Sequence, residues 1–207
     1  MTANRVKRGD LTALLKPRSV AIIGASNDPG RIGGRPLRYL IDVGYAGGIY
    51  PVNPGRETVQ GLPSFPNVSA IPDPVDLVVI AIPADKAITS LEECAARGVK
   101  AAVVFTAGFA ETGEAGRALQ NRMSDIARSS GMRILGPNCL GIYNSAIGFF
   151  ATFTSTLENG MPKPVGVGLV SQSGAYGSHV SLLAIRRGIG VRYWITTGNE
   201  CDVEIGE

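Results

Sequence analysis

Residues 19–34 read SVAIIGASNDPGRIGG, and this stretch decides the fold. It begins as a continuous apolar run that stops at Gly24, which is typical of a strand buried on both faces of a sheet. The glycine-rich turn that follows leads into a helical stretch at 34–43. In such a turn a phosphate can approach the backbone, and the N–H groups and the helix dipole favour its negative charge. The stretch therefore predicts a phosphate-binding turn, with a glycine-rich surface turn as the alternative.

Short apolar runs alternate with helical runs over residues 15–145. Apolar runs predict strands at 19–25, 48–52, 77–82, 101–106 and 132–135, and i, i+3, i+4 spacing predicts helices at 34–43, 84–97 and 114–129. Apolar strands that alternate with helices form a parallel sheet covered on both faces, so we expect an open α/β sheet of Rossmann type. Five prolines between Asn53 and Asp76 exclude a long helix there, and we interpret that crossover as an irregular or short-strand loop.

A second unit begins near residue 163. Its pattern predicts a strand at 165–170, a helix at 174–187 and a strand at 191–196. Two strands cannot close a core by themselves, so we expect either a fragment of a longer protein or a partner that covers the open surface. The predicted organisation is a first domain at 1–148, a polar linker at 149–164, and the first part of a second domain at 165–207.

The composition excludes several classes of protein. The chain has 207 residues, a net charge of +3, and 44% hydrophobic but only 6% aromatic residues. No run approaches the length of a membrane span, and no basic cluster with interleaved aromatics indicates nucleic-acid binding. The three cysteines lie far apart, and there is one histidine, so we expect neither a metal site nor a disulfide framework. Because no secretory signal is recognisable either, the sequence predicts a reduced, cytoplasmic protein.

The end of the second strand indicates which nucleotide would bind. A site for NAD needs a carboxylate there, to hold the ribose hydroxyls. This chain instead has Asn53, Pro54 and Arg56, and no carboxylate until Glu57. A guanidinium suits a phosphate oxygen, which favours a nucleotide with an extra ribose phosphate, such as NADP or coenzyme A (CoA). The alternative is a solvated loop arginine.

Further strand tips reach the same carboxyl edge. Pro83 and Ala84 follow the third strand, and Asn138 and Cys139 follow the fifth. Small or proline-locked tips leave room for a flat or extended ligand. Cys139 has no evident histidine partner in the sequence, so we interpret it as a packed structural cysteine rather than a nucleophile.

A second anion site is predicted where the second unit's first strand meets its helix. Ser171 and Ser173 flank the helix start, and Gly174 lets the turn tighten. An ordinary helix N-cap is the alternative. His179 lies further along this helix, and we interpret it as a packing residue.

Several ordered motifs together resemble one family. They are GASNDPGRIGG at 24–34, YPVNPGRETVQGLPSFPNVSAIPDPVDLVVIAIPA at 50–84, TAGFAETG at 106–113, GPNCLG at 136–141, LVSQSGAYG at 169–177 and TTGNECD at 196–202. Across about residues 10–207, the chain is similar to the NDP-forming acyl-CoA synthetases. That superfamily includes the α subunit of succinyl-CoA synthetase and ADP-forming acetyl-CoA synthetase.

The resemblance implies a Rossmann-type CoA-binding domain followed by an incomplete flavodoxin-like domain. The turn that holds CoA phosphates would comprise Gly24, Ala25, Ser26, Pro29, Arg31 and Gly33. The other cofactor residues would be Asn53, Pro54 and Arg56 near the nucleotide, Pro83 and Ala84 beside the adenine, and Asn138 and Cys139 near the thiol. The residues that bind the phosphate of a phosphohistidine would be Ser171, Ser173 and Gly174.

The resemblance also shows what is missing. The family's phosphorylated histidine lies in a GHAG-like context that this chain does not reach, and His179 does not match it. The resemblance implies a ligase that joins a carboxylic acid to CoA with ATP, through a phosphohistidine and an acyl phosphate. An ATP-grasp domain or subunit would be its partner, and the open edge of the second unit would suit an oligomer. We expect this chain alone to bind CoA without catalytic residues of its own.

Two alternatives belong to other classes. One is a CoA-sensing regulatory module, such as those fused to protein acetyltransferases. The other is an NADP-dependent oxidoreductase, which is disfavoured because no tyrosine, lysine or histidine stands out as a hydride-site acid.

Overall fold

The computed structural model describes residues 9–207, so the first eight residues of the expected first domain lie outside the described part. In chain order its elements are helix α1 (Thr12–Leu15), β1 (Ser19–Ile23), α2 (Arg35–Asp42), β2 (Gly48–Val52), β3 (Thr58–Val59), β4 (Leu62–Pro63), β5 (Leu77–Ile80), α3 (Ala84–Ala96), β6 (Ala101–Val104), α4 (Glu114–Ser130), β7 (Arg133–Leu135), β8 (Gly141–Asn144), β9 (Phe149–Thr152), β10 (Val167–Ser171), α5 (Gly174–Arg186) and β11 (Val191–Thr196). Within residues 9–207, no helix has the length and apolar character needed to cross a membrane.

The main sheet has five parallel strands in the order β2-β1-β5-β6-β7. The chain leaves β1 toward β2 on one side and later returns to β5 on the other. On the outer side of β2, Phe65 forms a single parallel bridge with Val52. A further parallel strand at this edge of the sheet is thus reduced to one residue pair. The reversal beside β1 is the point at which open α/β sheets bind ligands.

Both faces of this sheet are covered, as the apolar strands predict. Every residue of β1, β5 and β6 is buried. Ile88, Leu91 and Met123 from α3 and α4 pack on one face, and Leu37 and Leu40 from α2 pack on the other. The proline-rich crossover contains the β3–β4 hairpin and a 3-10 turn instead of a long helix, which confirms the short-strand interpretation.

A second sheet has the order β10-β11-β8-β9. Its strand β9 is buried and pairs with β8, so the interpretation of 149–164 as a polar linker is wrong for residues 149–152. Phe149 packs in the core of the main sheet, whereas Phe150 packs with Trp194. These contacts bury β9, which the sequence pattern assigns to a linker, together with β8, which it assigns to the first domain. The β8–β9 hairpin therefore extends the two-stranded second unit to a four-stranded sheet.

The core of the second sheet is aromatic. The Trp194 ring is fully buried and stacks on Tyr143, with ring centroids 5.6 Å apart. Its indole N–H donates a hydrogen bond of 3.0 Å to the carbonyl of Gly177, which fixes α5 to β11. Strand β10 lies at the edge of this sheet, where Val167 and Val170 are exposed.

Candidate functional site at the carboxyl edge of the main sheet

The turn after β1 folds so tightly that three positions require glycine, and at one of them, Gly34, a Cβ would overlap the carbonyl oxygen of Asp28. Gly24 has a φ of +89°, and a Cβ there would lie 2.5 Å from the carbonyl oxygen of Ala81. A Cβ on Gly33 would overlap the carbonyl oxygen of Gly24. The backbone itself therefore forms the floor of the site, as close approach to a phosphate requires.

Hydrogen bonds within and around the turn hold its shape. The Asp28 carboxylate accepts from the N–H of Gly30 at 2.9 Å, and the Asp28 N–H donates to the Ser26 hydroxyl at 3.1 Å. From the end of β2, the side-chain amide of Asn53 donates to the carbonyl of Ala25 at 2.8 Å. The predicted Asn53 thus supports the turn from the neighbouring strand.

Four backbone N–H groups of this turn are left without an acceptor. Within the described residues, those of Ser26, Asn27, Ile32 and Gly33 donate no hydrogen bond. Of these, Ile32 and Gly33 lie just before α2, whose N-terminal end adds positive potential. Successive unpaired amides of this kind form a concave binding site for an anion such as phosphate.

A cleft of about 550 Å³ lies over the turn. The predicted residues that line it are Gly24, Ala25, Ser26, Arg31, Gly33, Asn53 and Arg56, and Pro29 is not among its lining residues. Arg31 pairs with Asp28 at 3.4 Å. Arg56 has no carboxylate partner within residues 9–207, so its guanidinium is available to a ligand.

A second cleft of about 390 Å³ adjoins the first and shares Gly24 and Asn53 with it. Its apolar walls include Val52, Pro54, Ile82 and Pro83, and the predicted Ala84 does not line it. Such walls suit a flat ring.

Three polar residues of α3 that the sequence reasoning missed also line the second cleft. They are Lys86, Ser90 and Glu93. The position of Lys86 in the first turn of a helix that starts at a strand tip could have indicated it.

The structure brings two separately predicted segments together. Asn138, after β7, donates from its side-chain amide to the Asn199 side chain at 3.3 Å. Gln172, in the turn before α5, donates to the carbonyl of Gly198 at 2.8 Å. Gly174 packs so closely on Leu140 that a Cβ there would lie 2.6 Å from Leu140 Cγ. The tip near Asn138 and the turn at 171–174 are therefore neighbours.

Glu111, which the sequence reasoning missed, connects the loop after β6 to Asn199, the residue that Asn138 contacts. Its carboxylate accepts from the N–H of Gly108 at 2.6 Å and from the Asn199 side chain at 2.5 Å. Burial disfavours the charged carboxylate, but these hydrogen bonds outweigh burial and hold the pKa of Glu111 below its usual value. No regular sequence pattern marks a residue of this kind, because its partners come from distant parts of the chain.

At the second predicted anion site, the serine hydroxyls form hydrogen bonds with backbone atoms of the same turn. Ser173 caps α5 by accepting from the N–H of Tyr176 at 3.3 Å, and the Ser171 hydroxyl donates to the carbonyl of Ser173 at 2.9 Å. Ser173 is therefore a helix N-cap, and anion binding at this turn stays a prediction. His179 is exposed on α5, so its interpretation as a packing residue is wrong.

Cys139 is a packed cysteine, as its sequence context predicts. Its thiol is buried and lies 3.4 Å from the carbonyl oxygen of Val104. Burial raises the pKa of the Cys139 thiol to about 12. The nucleophile interpretation therefore has no support, and only the backbone at this position could contact a ligand.

We expect Cys139 to resist alkylation in the folded protein. At about pH 8 the buried thiol is almost entirely protonated and shielded from the reagent. Iodoacetamide labelling with peptide mass mapping should find Cys139 unmodified in the native chain and modified in the denatured control. Rapid labelling of the native chain would reopen the nucleophile interpretation.

Comparisons with known proteins identify the families that this chain resembles. A family model described as a CoA binding domain matches residues 18–145, and one described as a succinyl-CoA ligase like flavodoxin domain matches residues 164–207. The α subunit of acetate–CoA ligase [ADP-forming] II from Pyrococcus furiosus is 40% identical over 198 residues, which are 95% of this chain and 42% of that protein. Acetate–CoA ligase [ADP-forming] from Methanocaldococcus jannaschii is 38% identical over 195 residues, covering 94% of this chain and 27% of that protein.

A solved structure shares the fold at similar identity. The apo form of dinucleotide forming acetyl-coenzyme A synthetase 1 from Ca. Korarchaeum cryptofilum superposes with a TM-score of 0.87 at 37% identity. The match covers 94% of this chain and 41% of that one. The chain thus spans less than half the length of these relatives.

Proposed function

Because this chain belongs to the NDP-forming acyl-CoA synthetase superfamily and carries its CoA-binding domain, we propose that it is the CoA-binding portion of an acid–CoA ligase. The observation that carries the proposal is the set of four unpaired amides in the turn between β1 and α2. They lie where the strand order reverses, beside an unpaired arginine. A diphosphate needs this arrangement of donors, and CoA carries one.

The two adjoining clefts suggest how CoA lies. We place its diphosphate on the turn and its adenine against the apolar walls of the second cleft. Arg56 then meets the ribose 3′-phosphate, which NAD lacks. The pantetheine arm extends along the carboxyl edge toward Asn138.

The neighbouring turn before α5 supports a ligase rather than a CoA sensor. It is a capped helix N-terminus directly beside the tip of Asn138, where the thiol would arrive. In the proposed reaction the thiol attacks the carbonyl carbon of an acyl phosphate, the bond to the phosphate oxygen breaks, and phosphate leaves. We propose that the turn at 171–174 holds phosphate at this stage. An ATP-grasp domain or subunit would supply the phosphoryl group. Residues 1–148 and 165–207 would form two domains, except that β8, at 141–144, belongs to the sheet of the second.

Calorimetry with Arg56→Ala tests the assignment. Removing one charge-assisted contact should weaken the binding of CoA by ~1–3 kcal/mol, about 5- to 150-fold in affinity. The affinity for dephospho-CoA should stay unchanged. Arg117→Ala removes the same charge from an exposed position on α4 and serves as the control. If wild type binds CoA and dephospho-CoA equally, the role of Arg56 fails. Tighter binding of NADP than of CoA would favour the oxidoreductase and defeat the proposal.

A further inference from the structure

Gln60 occupies a backbone conformation that its residue type disfavours. It is the first of two residues between β3 and β4, with a φ of +48°, and Gly61 follows with a φ of +82°. Two-residue hairpin turns of this kind favour Asn-Gly or Asp-Gly, because few other residues adopt positive φ readily. An unfavourable backbone conformation persists only where other contacts hold the residue in place.

The contacts of Gln60 all go to the phosphate-binding turn. Its side-chain amide donates to the carbonyl of Ser26 at 2.8 Å and to the carbonyl of Gly34 at 2.9 Å. Its backbone N–H donates to the Asn27 side chain at 2.7 Å. Among the residues that the structure describes, no other side chain donates to both ends of this turn.

These bonds fix the direction of an unpaired amide. In a trans peptide unit the carbonyl and the following N–H point in opposite directions. Because Gln60 holds the Ser26 carbonyl toward the hairpin, the N–H of Asn27 points away from it. That N–H has no acceptor within residues 9–207. Asn27 does not itself line the cleft over the turn, but Ser26, whose carbonyl Gln60 holds, does. The second bond, to Gly34, anchors the start of α2 to the same side chain.

We propose that Gln60 is a positioning residue for CoA, which orients the turn so that its free amides meet the diphosphate. This inference rests on the proposed function. The β3–β4 hairpin then does more than connect β2 to β5, because it braces the cofactor turn from outside. The competing view is that Gln60 only forms the hairpin turn.

Two substitutions separate these views. Gln60→Asn should suit the hairpin turn at least as well, but it is one methylene too short to reach both carbonyls. Gln60→Met keeps a similar length and loses both donors. Thr58→Ala, at an exposed position of the same hairpin, is the control.

The measurement is calorimetric titration of the full chain with CoA and with dephospho-CoA, together with thermal unfolding. We expect both Gln60 variants to bind CoA about tenfold more weakly, with a thermal midpoint equal to or above that of wild type for Gln60→Asn. The affinity for dephospho-CoA should fall by the same factor, because both ligands carry the diphosphate. The ratio of the two affinities should therefore stay at its wild-type value, whereas Arg56→Ala changes it.

Each other outcome is informative. Wild-type affinity in both Gln60 variants would overturn the positioning role and leave CoA binding intact. The positioning role would also be overturned if CoA affinity fell only in a Gln60 variant whose thermal midpoint fell as well. The stability of the hairpin turn would then explain both effects. If wild type itself binds neither ligand, the proposed function fails instead.

Discussion

Gly33→Ala should reduce CoA affinity by at least ~100-fold, about 2.7 kcal/mol. The added methyl group would overlap the carbonyl oxygen of Gly24, so the turn must open and the free amides of the turn must shift. Isothermal titration with CoA measures the loss, and circular dichroism checks that the main sheet is retained.

The same turn offers a matched control for this substitution. A Cβ on Gly30 would meet only the Asp28 carboxylate, at 3.2 Å, so a shift of a few tenths of an ångström relieves the contact and no backbone atom has to move away. Gly30→Ala should therefore bind CoA within a few-fold of wild type. Equal affinities for the two variants would contradict the assignment of this turn as the diphosphate site.

Trp194→Ala should lower the free energy of unfolding by ~3–5 kcal/mol. The substitution leaves a large cavity under α5, removes the stacking on Tyr143 and removes the hydrogen bond from the indole N–H to the Gly177 carbonyl. Urea denaturation followed by circular dichroism gives the loss. Tyr176→Ala is the control, because that aromatic side chain is 68% exposed. A loss below ~1 kcal/mol for Trp194→Ala would mean that the aromatic cluster does not hold the second sheet together.

The strands of the main sheet could be predicted from sequence because each one is apolar throughout. Runs such as 77–82 and 101–106 predict strands of a sheet covered on both faces, and the structure buries residues 77–80 and 101–104 there. The glycine-rich turn was identified for the same kind of local reason, since both its position after a buried strand and its small residues are visible in the sequence.

Strand β9 was missed because its identity depends on distant partners. Its four residues precede a polar stretch with Gly160, Pro162 and Pro164, which dominates the local pattern. Only pairing with β8, and through it with β11, makes this segment a strand. Pairing of this kind is a tertiary effect that overrides local propensity.

Gln60 and Lys86 were missed for a related reason. Gln60 is a single polar residue in a proline-rich crossover, and nothing in the local pattern indicates that its amide reaches two carbonyls of another loop. Lys86 is one of several charged residues on an amphipathic helix, and only the cleft beside α3 distinguishes it. Residues that support or line a site from a different segment need the three-dimensional arrangement to be recognised.

The most direct measurement is a crystal structure of the full chain with CoA bound. The account predicts the diphosphate within about 3.2 Å of backbone nitrogens of the turn at Ser26, Asn27, Ile32 and Gly33. CoA bound away from the junction of β1 and α2, or no bound CoA at saturating concentration, would contradict it.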